Sequence, residues 1–472
     1  MSNIPNIILV NADDLGFGDL GCYGSERNDT PHLDRLAQEG CRFTGFYMGS
    51  PVCSPSRGSM LSGCYPPRIG FESFHGRPVL FPGQDLGLDP SEFTLPRLLK
   101  DASYATTAVG KWHCGDQPEF LPTRHGFDHY YGIPYSNDMG RQFEDDVNPP
   151  LPLLRDEETI QAQPDQTCLT ERYVEESVRF MRANQDRPFF LYLAHLHVHV
   201  PHYVSQNFLG KSRNGPYGAA VGAIDWAMGA LMHELRQSGK EANTLVLFTS
   251  DNGSRVRGEG GSNGSLRGLK GETWEGGQRV PLIIRWPGQV PAGTESDALL
   301  TSMEFLPTFA EVVGRPLPTE RTIDGCSMLN LLRDPQRVES PRKRFAYYLK
   351  GGLEAVREGD WKLHLAKGVA HGDEFSFIQE LYNLREDPAE TVNRYDGEPT
   401  VVARLQSIAE ETRRDLGDAY TATPKGPRCR PAGRVEDPRT LTRLDPVCPY
   451  IIAIYDLKDR GYTVGELPES PE

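Results

Sequence analysis

Four places in the 472-residue sequence put polar, chemically useful side chains directly after a short apolar run that predicts a buried strand. These side chains are Asp13 and Asp14, Lys111 and His113, His197 and His199, and Asp251 and Asn252. In open α/β sheets ligands bind outside the carboxyl ends of the strands, so the four groups could converge on one site. One such pair is often only a turn or a helix cap. Four in one chain favour a functional site.

The acidic members of this set predict a binding site for a hard cation. Asp13, Asp14, Asp251 and Asn252 offer only oxygen ligands, three of them anionic. That donor set suits calcium or magnesium and fits zinc poorly. Such a cation could hold an oxyanion and neutralise charge in a transition state. Alternating histidines at 195–202 raise a zinc alternative, but the alternation would divide them between the two faces of a strand.

The candidate nucleophile is a cysteine in a short, recognisable run. Cys53 begins the run CSPSR, which ends at Arg57, and a second run, GKWH, spans residues 110–113. CSPSR matches the Cys-x-Pro-x-Arg signature of the type I sulfatases, in which the cysteine is oxidised to formylglycine, and GKWH resembles the second signature of that family. The family pattern usually begins this second segment with glycine where Ser103 stands here. Because Ser103 precedes the strand, we expect an effect on the turn rather than on the chemistry.

Further runs of the same family occur in the family's order. They are NADDLGFGDLGCYG at the N-terminus, HGFDHYYGIPYSND at 125–138, HVHVP at 197–201, FTSDNG at 248–253 and LKGETWEGG at 269–277. The resemblance covers residues 1 to about 310, with a weaker match at 380–393. The chain resembles formylglycine-dependent sulfatases of the alkaline phosphatase superfamily, most of all the branch of arylsulfatase A and N-acetylgalactosamine-6-sulfatase.

The resemblance implies one calcium ion per chain and a formylglycine made from Cys53 by a separate formylglycine-generating enzyme. The implied metal ligands are Asp13, Asp14, Cys53 as formylglycine, Asp251 and Asn252. The implied catalytic residues are Cys53, Arg57, Lys111, His113, His199 and Lys270. Of these, Lys111, His199 and Lys270 would also contact the sulfate, together with Ser136.

The implied reaction is hydrolysis of a sulfate monoester to an alcohol and inorganic sulfate. The cation, Arg57 and the two lysines oppose the negative charge that protects the ester from attack. One hydroxyl of the formylglycine hydrate attacks sulfur, and His113 removes the proton of the other so that sulfate is expelled. The substrate is expected to be a small sulfate ester or a sulfated sugar.

Other functions remain open. A phosphonate monoester or phosphodiester hydrolase of the same superfamily could use the same formylglycine. An unmodified Cys53 would leave a non-catalytic protein that binds anions or carbohydrates. A thiol hydrolase that pairs Cys53 with His113 is a third alternative, but it lacks an oxyanion-binding motif and makes poor use of the oxygen ligands.

Strands alternate with helical patterns through the first two thirds of the chain, which predicts an α/β fold. The expected architecture is a large, mostly parallel central sheet flanked by helices, as in alkaline phosphatase. After about residue 335 three short runs separated by glycine-containing turns predict an antiparallel sheet, and 401–416 predicts an amphipathic helix. We therefore expect a catalytic domain at 1–335 and a smaller α+β domain with an irregular tail at 336–472.

Composition and charge exclude several classes of partner. The net charge of −15 argues against nucleic acid, and no apolar run is long enough to span a membrane. The sequence shows no signal peptide, so a cytoplasmic protein is expected, or a periplasmic or secreted one if a leader was removed. A disulfide between Cys429 and Cys448 is one alternative, and free thiols are favoured. The oligomeric state is left open.

Overall fold

The computed structural model describes residues 4–141, 148–445 and 447. Its strands are β1 Asn6–Ala12, β2 Cys41–Phe43, β3 Phe46–Tyr47, β4 Leu86–Gly87, β5 Ala105–Gly110, β6 His129–Gly132, β7 Pro152–Arg155, β8 Glu158–Ala162, β9 Phe189–Ala194, β10 Thr244–Ser250, β11 Leu282–Arg285, β12 Thr294–Ser296, β13 Leu300–Thr301, β14 Arg344–Leu349, β15 Gly352–Glu358, β16 Trp361–Gly368, β17 Phe375–Asn383 and β18 Gly433–Arg434. Its α-helices are α1 Pro31–Gln38, α2 Cys53–Ser62, α3 Leu95–Asp101, α4 Leu169–Ala183, α5 Gln206–Leu209, α6 Gly215–Gln237, α7 Glu275–Gln278, α8 Phe305–Val313, α9 Leu329–Arg333 and α10 Pro399–Leu416.

A ten-stranded sheet forms the centre of the molecule, in the order β12-β2-β11-β10-β1-β9-β5-β6-β7-β8. The five strands from β10 to β6 run parallel, and β11 and β7 join them antiparallel at the two sides. The parallel strands are buried along almost their whole length, because both faces of a parallel sheet are covered. The prediction of a large, mostly parallel sheet flanked by helices is confirmed.

Alternate residues of each central strand enter separate cores on the two faces of the sheet. Ile7 and Leu9 of β1 belong to the core that includes residues of α2, α3 and α8. Ile8 and Val10 belong to the core that includes residues of α1, α4 and α6. Both cores are fully buried, so the carboxyl ends of β1, β5, β9 and β10 are held on a rigid platform.

The second sheet is antiparallel and has the order β14-β15-β16-β17. It confirms the predicted meander and adds a fourth strand, Phe375–Asn383, whose first residues are mostly exposed and which the sequence pattern did not reveal. Helix α10 covers this sheet through Val402, Leu405 and Ile408. The same core takes in Tyr47 and Met303 of the larger part, so the two parts share buried contacts. The boundary at residue 335 stays a prediction.

Two sequence expectations concern the remaining chain. Among the described residues no helix is both long and apolar enough to cross a membrane. Cys448, the proposed disulfide partner of Cys429, lies outside the described residues, as does the tail beyond residue 447.

Candidate active site

The paired carboxylates lie where two adjacent parallel strands end. Strands β1 and β10 are in register, with Ala12 opposite Ser250, so Asp13 and Asp251 leave the sheet side by side. The backbone N–H of Asp14 donates to Asp251 Oδ1 at 3.2 Å. Asp14 adopts a left-handed backbone conformation, with φ of 62°, which an aspartate tolerates better than most residues. This turn directs both consecutive carboxylates into one buried site.

Helix α2 carries the candidate nucleophile at its first residue. Val52 is extended and Cys53 begins the helix, with every residue from Cys53 to Ser62 buried. The Cys53 Sγ lies 3.6 Å from Asp13 Oδ1. One turn further, Arg57 donates from Nε to Asp251 Oδ2 at 2.9 Å and from a terminal nitrogen to the carbonyl oxygen of Lys111 at 2.9 Å. Through Arg57, the CSPSR run therefore connects the residues that follow the carboxyl ends of β10 and β5.

The GKWH run continues from β5 into the same site. The Lys111 ammonium pairs with Asp13 and lies 3.2 Å from Ser136 Oγ. His113 has a left-handed φ of 59° and is buried. Its Nε2 lies 3.0 Å from the carbonyl oxygen of Leu80, while its Nδ1 has no hydrogen-bond partner in the part of the chain that the structure describes. Burial, reinforced by Lys111, holds the pKa of His113 well below its usual value, so the ring is neutral and able to accept a proton.

His199 and Lys270 approach Asp14 from the other side. Lys270 Nζ lies 2.7 Å from Asp14 Oδ1, and His199 Nε2 lies 3.8 Å from Asp14 Oδ2. The His199 Nδ1 donates to the carbonyl oxygen of Val200 at 2.6 Å. Burial, together with Lys270, lowers the pKa of His199 to about 4. Although burial alone would raise the pKa of Asp14, Lys270 and His199 lower it, so this carboxylate stays ionised.

The histidine segment corrects one sequence expectation. Strand β9 ends at Ala194, and residues 195–202 form an irregular loop rather than a continued strand. The alternation at 195–202 therefore does not divide the rings between two sheet faces. His199 joins the site, whereas both ring nitrogens of His195 are buried and form no hydrogen bond to any residue that the structure describes.

Several potential metal ligands are crowded together in this site. The donor atoms of Asp13, Asp14, Cys53 and His199 all lie within 4.8 Å of one another. Asn252 Nδ2 donates to Asp14 Oδ1 at 2.7 Å and to the carbonyl oxygen of Gly253. This fixes the amide so that Asn252 Oδ1 is buried with no hydrogen-bond partner among the described residues. A buried carbonyl oxygen without a partner among crowded carboxylates is the environment that an oxygen-bound cation satisfies.

The crowding of carboxylates in this site also supports a bound metal ion. Burial and the neighbouring Asp251 raise the pKa of Asp13 to about 7, despite the opposing effect of Lys111. Three carboxylates share this buried site with only Arg57, Lys111 and Lys270 as direct ionic partners among the described residues. A divalent cation would remove the repulsion that raises the Asp13 pKa.

The chain matches known families along most of its length. A family model named Sulfatase matches residues 5–315, and the C-terminal model of N-sulphoglucosamine sulphohydrolase matches residues 270–415. The chain belongs to the sulfatase family. N-acetylgalactosamine-6-sulfatase of Rattus norvegicus is 40% identical over 79% of this chain and 73% of its own length. Arylsulfatase A of Homo sapiens is 37% identical over 94% of this chain and 93% of its own.

Solved sulfatase structures share the architecture. The PsFucS1 sulfatase from Pseudoalteromonas sp. has a TM-score of 0.79 at 27% identity, over 86% of this chain and 89% of its own. Ps i-CgsB, solved in complex with k-i-k-neocarrahexaose, has a TM-score of 0.75 at 29% identity, over 86% and 92% of the two chains. The chain is therefore a sulfuric ester hydrolase of alkaline-phosphatase-like fold with a metal-dependent active site.

The structure brings all the residues implied by the sequence into this one site. The eleven side chains are Asp13, Asp14, Cys53, Arg57, Lys111, His113, Ser136, His199, Asp251, Asn252 and Lys270. Their separate roles in this sulfatase stay predictions, since geometry gives their places and not their chemistry.

A cavity of about 190 Å³ is lined in part by Cys53, and most of its other lining residues belong to loops of the first domain, while Ala370 and His371 are residues that the sequence reasoning missed. Its apolar lining residues include Val79, Phe81 and Met139. The lining also contains Asp138, Arg255, Arg257, Ala370 and His371. The two arginines follow closely on Asn252 in the sequence, which was an available signal. His371 comes from the turn between β16 and β17, and no sequence pattern indicated that the second sheet reaches the site.

Proposed function

We propose that this sulfatase hydrolyses small sulfate monoesters with a formylglycine derived from Cys53 and a bound calcium ion. The observation that carries this proposal is the convergence of Lys111, Lys270 and Arg57 with an oxygen donor set around the first residue of α2. Formylglycine at this position would supply the nucleophilic oxygen. It depends on a separate formylglycine-generating enzyme, which is a partner in maturation.

The metal would be held by Asp13, Asp14, Asp251, Asn252 and an oxygen of residue 53. Calcium would supply positive charge next to the reacting sulfate. Four oxygen-bearing side chains with no nitrogen donor among them favour calcium or magnesium, and flexible coordination of oxygen ligands favours calcium. Arg57 would position the metal ligands, because it binds both the Asp251 carboxylate and the backbone carbonyl oxygen of Lys111.

The chain's own residues would bind the sulfate and move protons. Lys270 and His199 line the cavity, and Lys111 lies behind them beside Ser136, which also lines it. Neutral His113, with its free Nδ1, is suited to hold a proton taken from residue 53. An anionic sulfate beside His199 would raise the pKa of His199, which would give Nε2 the proton that the leaving oxygen needs.

The size of the cavity restricts the substrate. About 190 Å³ is below the range of roughly 300–1,000 Å³ usual for drug-sized ligands. A sulfated monosaccharide unit or one aryl ring fits this space, with Val79 and Phe81 available to contact an apolar ring face. We therefore infer a small sulfate ester or the terminal unit of a sulfated sugar as the substrate. The sugar-bound structure of Ps i-CgsB supports this class.

A phosphonate or phosphodiester hydrolase is the alternative that shares the scaffold. The phosphonate monoester hydrolase of Agrobacterium radiobacter has a TM-score of 0.61 at 19% identity, a likeness that concerns the fold alone. Matched aryl sulfate, phosphodiester and phosphonate substrates separate the two functions. If kcat/KM is higher for the phosphorus esters than for the aryl sulfate, the phosphonate or phosphodiester hydrolase replaces the sulfatase that we propose.

The decisive experiment is mass spectrometry of the peptide that contains Cys53, together with sulfatase assays of the same protein. Conversion of the thiol to the aldehyde lowers the peptide mass by about 18 Da, and we expect activity to rise in proportion to the converted fraction. Cys53→Ala should abolish turnover, while the matched control Cys22→Ala, at a half-buried cysteine outside the site, should retain it. Full activity of protein with an unmodified thiol would overturn the proposal.

A further inference from the structure

The loop after Asn252 carries two arginines to the mouth of the cavity. Arg255 and Arg257 both line the cavity that contains Cys53 and Lys270. Val256, between them, has a left-handed φ of 47°. This conformation is unfavourable for a β-branched residue, and strained backbone of this kind is concentrated at functional sites. The strained residue therefore lies between the two arginines that this loop contributes to the rim of the cavity.

Hydrogen bonds fix this loop to the catalytic platform. Asn263 is buried, and its Oδ1 accepts from the N–H of Ser254 while its Nδ2 donates to the Ser254 carbonyl oxygen, at 2.9 and 3.1 Å. The N–H of Lys270 donates to the same carbonyl oxygen at 3.0 Å. The residue next to Arg255 is therefore bound directly to the backbone of Lys270. The position of the arginines is set relative to the proposed sulfate site.

The arginines are poorly neutralised. Glu259 lies 3.8 Å from the Arg255 Nε, a weak contact, and its other oxygen accepts from the backbone N–H of Arg257. Within the described part of the chain the guanidinium of Arg257 forms no ion pair, and its residue is exposed. A protein with a net charge of −15 thus keeps an excess of positive charge at this one rim.

The turn between β16 and β17 also contributes to this rim. A Cβ added to Gly271 would lie 3.0 Å from the Ala370 Cβ, so this turn contacts the segment that carries Lys270. His371 follows, and its pKa is lowered by partial burial and by the nearby Lys270, Arg257 and Arg255. The histidine thus lies in the same positive field as the two arginines.

We propose that Arg255 and Arg257 form a second anion subsite, which selects sulfate esters that carry a further carboxylate or sulfate group beside the ester being cleaved. This inference rests on the proposed function and deepens it. A catalytic sulfate subsite is already supplied with positive charge by Lys111 and Lys270. The guanidinium groups of Arg255 and Arg257 each offer paired N–H donors, which are suited to bind a second oxyanion of the same substrate.

The test compares substrates that differ in one anionic group. The substrates are 4-nitrophenyl sulfate, a hexose monosulfate, the corresponding hexose disulfate and a sulfated hexuronic acid. For the native enzyme we expect kcat/KM to be higher for the last two than for the hexose monosulfate. The preference should weaken as salt is added, because exposed charges are screened. Whichever of the two is preferred identifies the second group as sulfate or carboxylate.

The variants Arg255→Gln, Arg257→Gln and the double substitution test the residues. Since a hydrogen bond to a charged group contributes about ten- to hundred-fold in binding, the double substitution should lower the ratio of dianionic to monoanionic kcat/KM by that amount or more. The effect should fall mainly on KM. The matched control is Arg187→Gln, an exposed arginine that donates to Asn184 and precedes the amino end of β9, whereas the active site lies at the carboxyl ends of the strands.

The two proposals fail in different ways. Absence of any sulfate ester hydrolysis by protein with a converted Cys53 would overturn the proposed function. Hydrolysis of 4-nitrophenyl sulfate with a substrate ratio that is unchanged in the double variant would overturn the second anion subsite alone. A ratio that falls equally in Arg187→Gln would also overturn it, because the effect would then come from the general charge of the protein.

Discussion

Replacing Lys362 by methionine should strongly destabilise the protein. Lys362 lies on β16 and is fully buried. Its ammonium lies 3.1 Å from Glu275 Oε1 and 2.9 Å from Glu390 Oε1, and it donates to the carbonyl oxygen of Thr273 at 2.8 Å. Glu275 and Thr273 belong to the segment that follows Lys270. The buried lysine thus joins the second sheet to the part of the chain that contributes a cation to the active site.

The magnitude follows from what the substitution leaves behind. Both carboxylates are fully buried and would lose their shared cation, although Glu390 keeps His364 at 2.9 Å and Glu275 keeps Arg279 at 3.4 Å. Removing one partner of a buried ion pair lowers the free energy of unfolding by about 3–5 kcal/mol. We expect a decrease in this range, with sulfatase activity lost at lower temperature than in the native protein.

Denaturant unfolding and calorimetry measure the effect. The matched control is Lys367→Met on the same strand, where the lysine pairs with Glu272 at 3.0 Å and is about a third exposed. An exposed pair of this kind contributes about 0–1 kcal/mol. If Lys362→Met and Lys367→Met destabilise the protein equally, the buried cluster does not hold the two parts together and the reasoning is refuted.

Three further predictions concern other parts of the fold. Ser103 has a φ of 68°, so Ser103→Gly should raise the free energy of unfolding by about 0.5–1 kcal/mol while Ser103→Ala should not; equal thermal stabilities would contradict this. Burial raises the pKa of Asp225 to about 7 although its Oδ1 accepts the N–H groups of His32 and Leu33. A raised carboxyl pKa means that stability is lost as pH rises from about 4 to about 7. Asp225→Asn keeps the acceptor without the charge and should flatten stability across this range, and an unchanged pH profile would disprove the assignment. Finally, Asn252→Leu should weaken calcium binding by about 100-fold or more, seen as a smaller rise in melting temperature on adding calcium; an unaltered rise would remove Asn252 from the ligand set.

The site could be predicted from sequence because it depends on where strands end. Asp13 and Asp251 directly follow apolar runs, and the parallel sheet puts such ends together without any detail of packing. Ser103 was predicted to affect only a turn, and it occupies the left-handed position between α3 and β5. Short-range rules suffice for residues of these kinds.

The rim of the cavity could not be predicted in the same way. His371 reaches the site because the second sheet packs against the segment around Trp274, where the rings of Trp274 and His364 lie 4.0 Å apart. Such packing depends on side-chain shape across a long interval of sequence. The fourth strand of that sheet was missed although Phe375 and Phe377 alternate with Ser376, and these first residues are exposed rather than packed in a core. The histidine loop was misjudged because alternating polar residues resemble a strand even where backbone pairing has ended.

The pairing of β1 with β10 has a consequence for synthesis. Asn6 and Thr244 are partners although 238 residues separate them. At roughly 5–20 residues per second, a ribosome needs on the order of 12–50 seconds to supply the second strand after the first. The central sheet cannot close during this interval. The finished fold buries Cys53 completely, so the formylglycine-generating enzyme of our proposal would have to act before the sheet closes, in a period that the order of the strands determines.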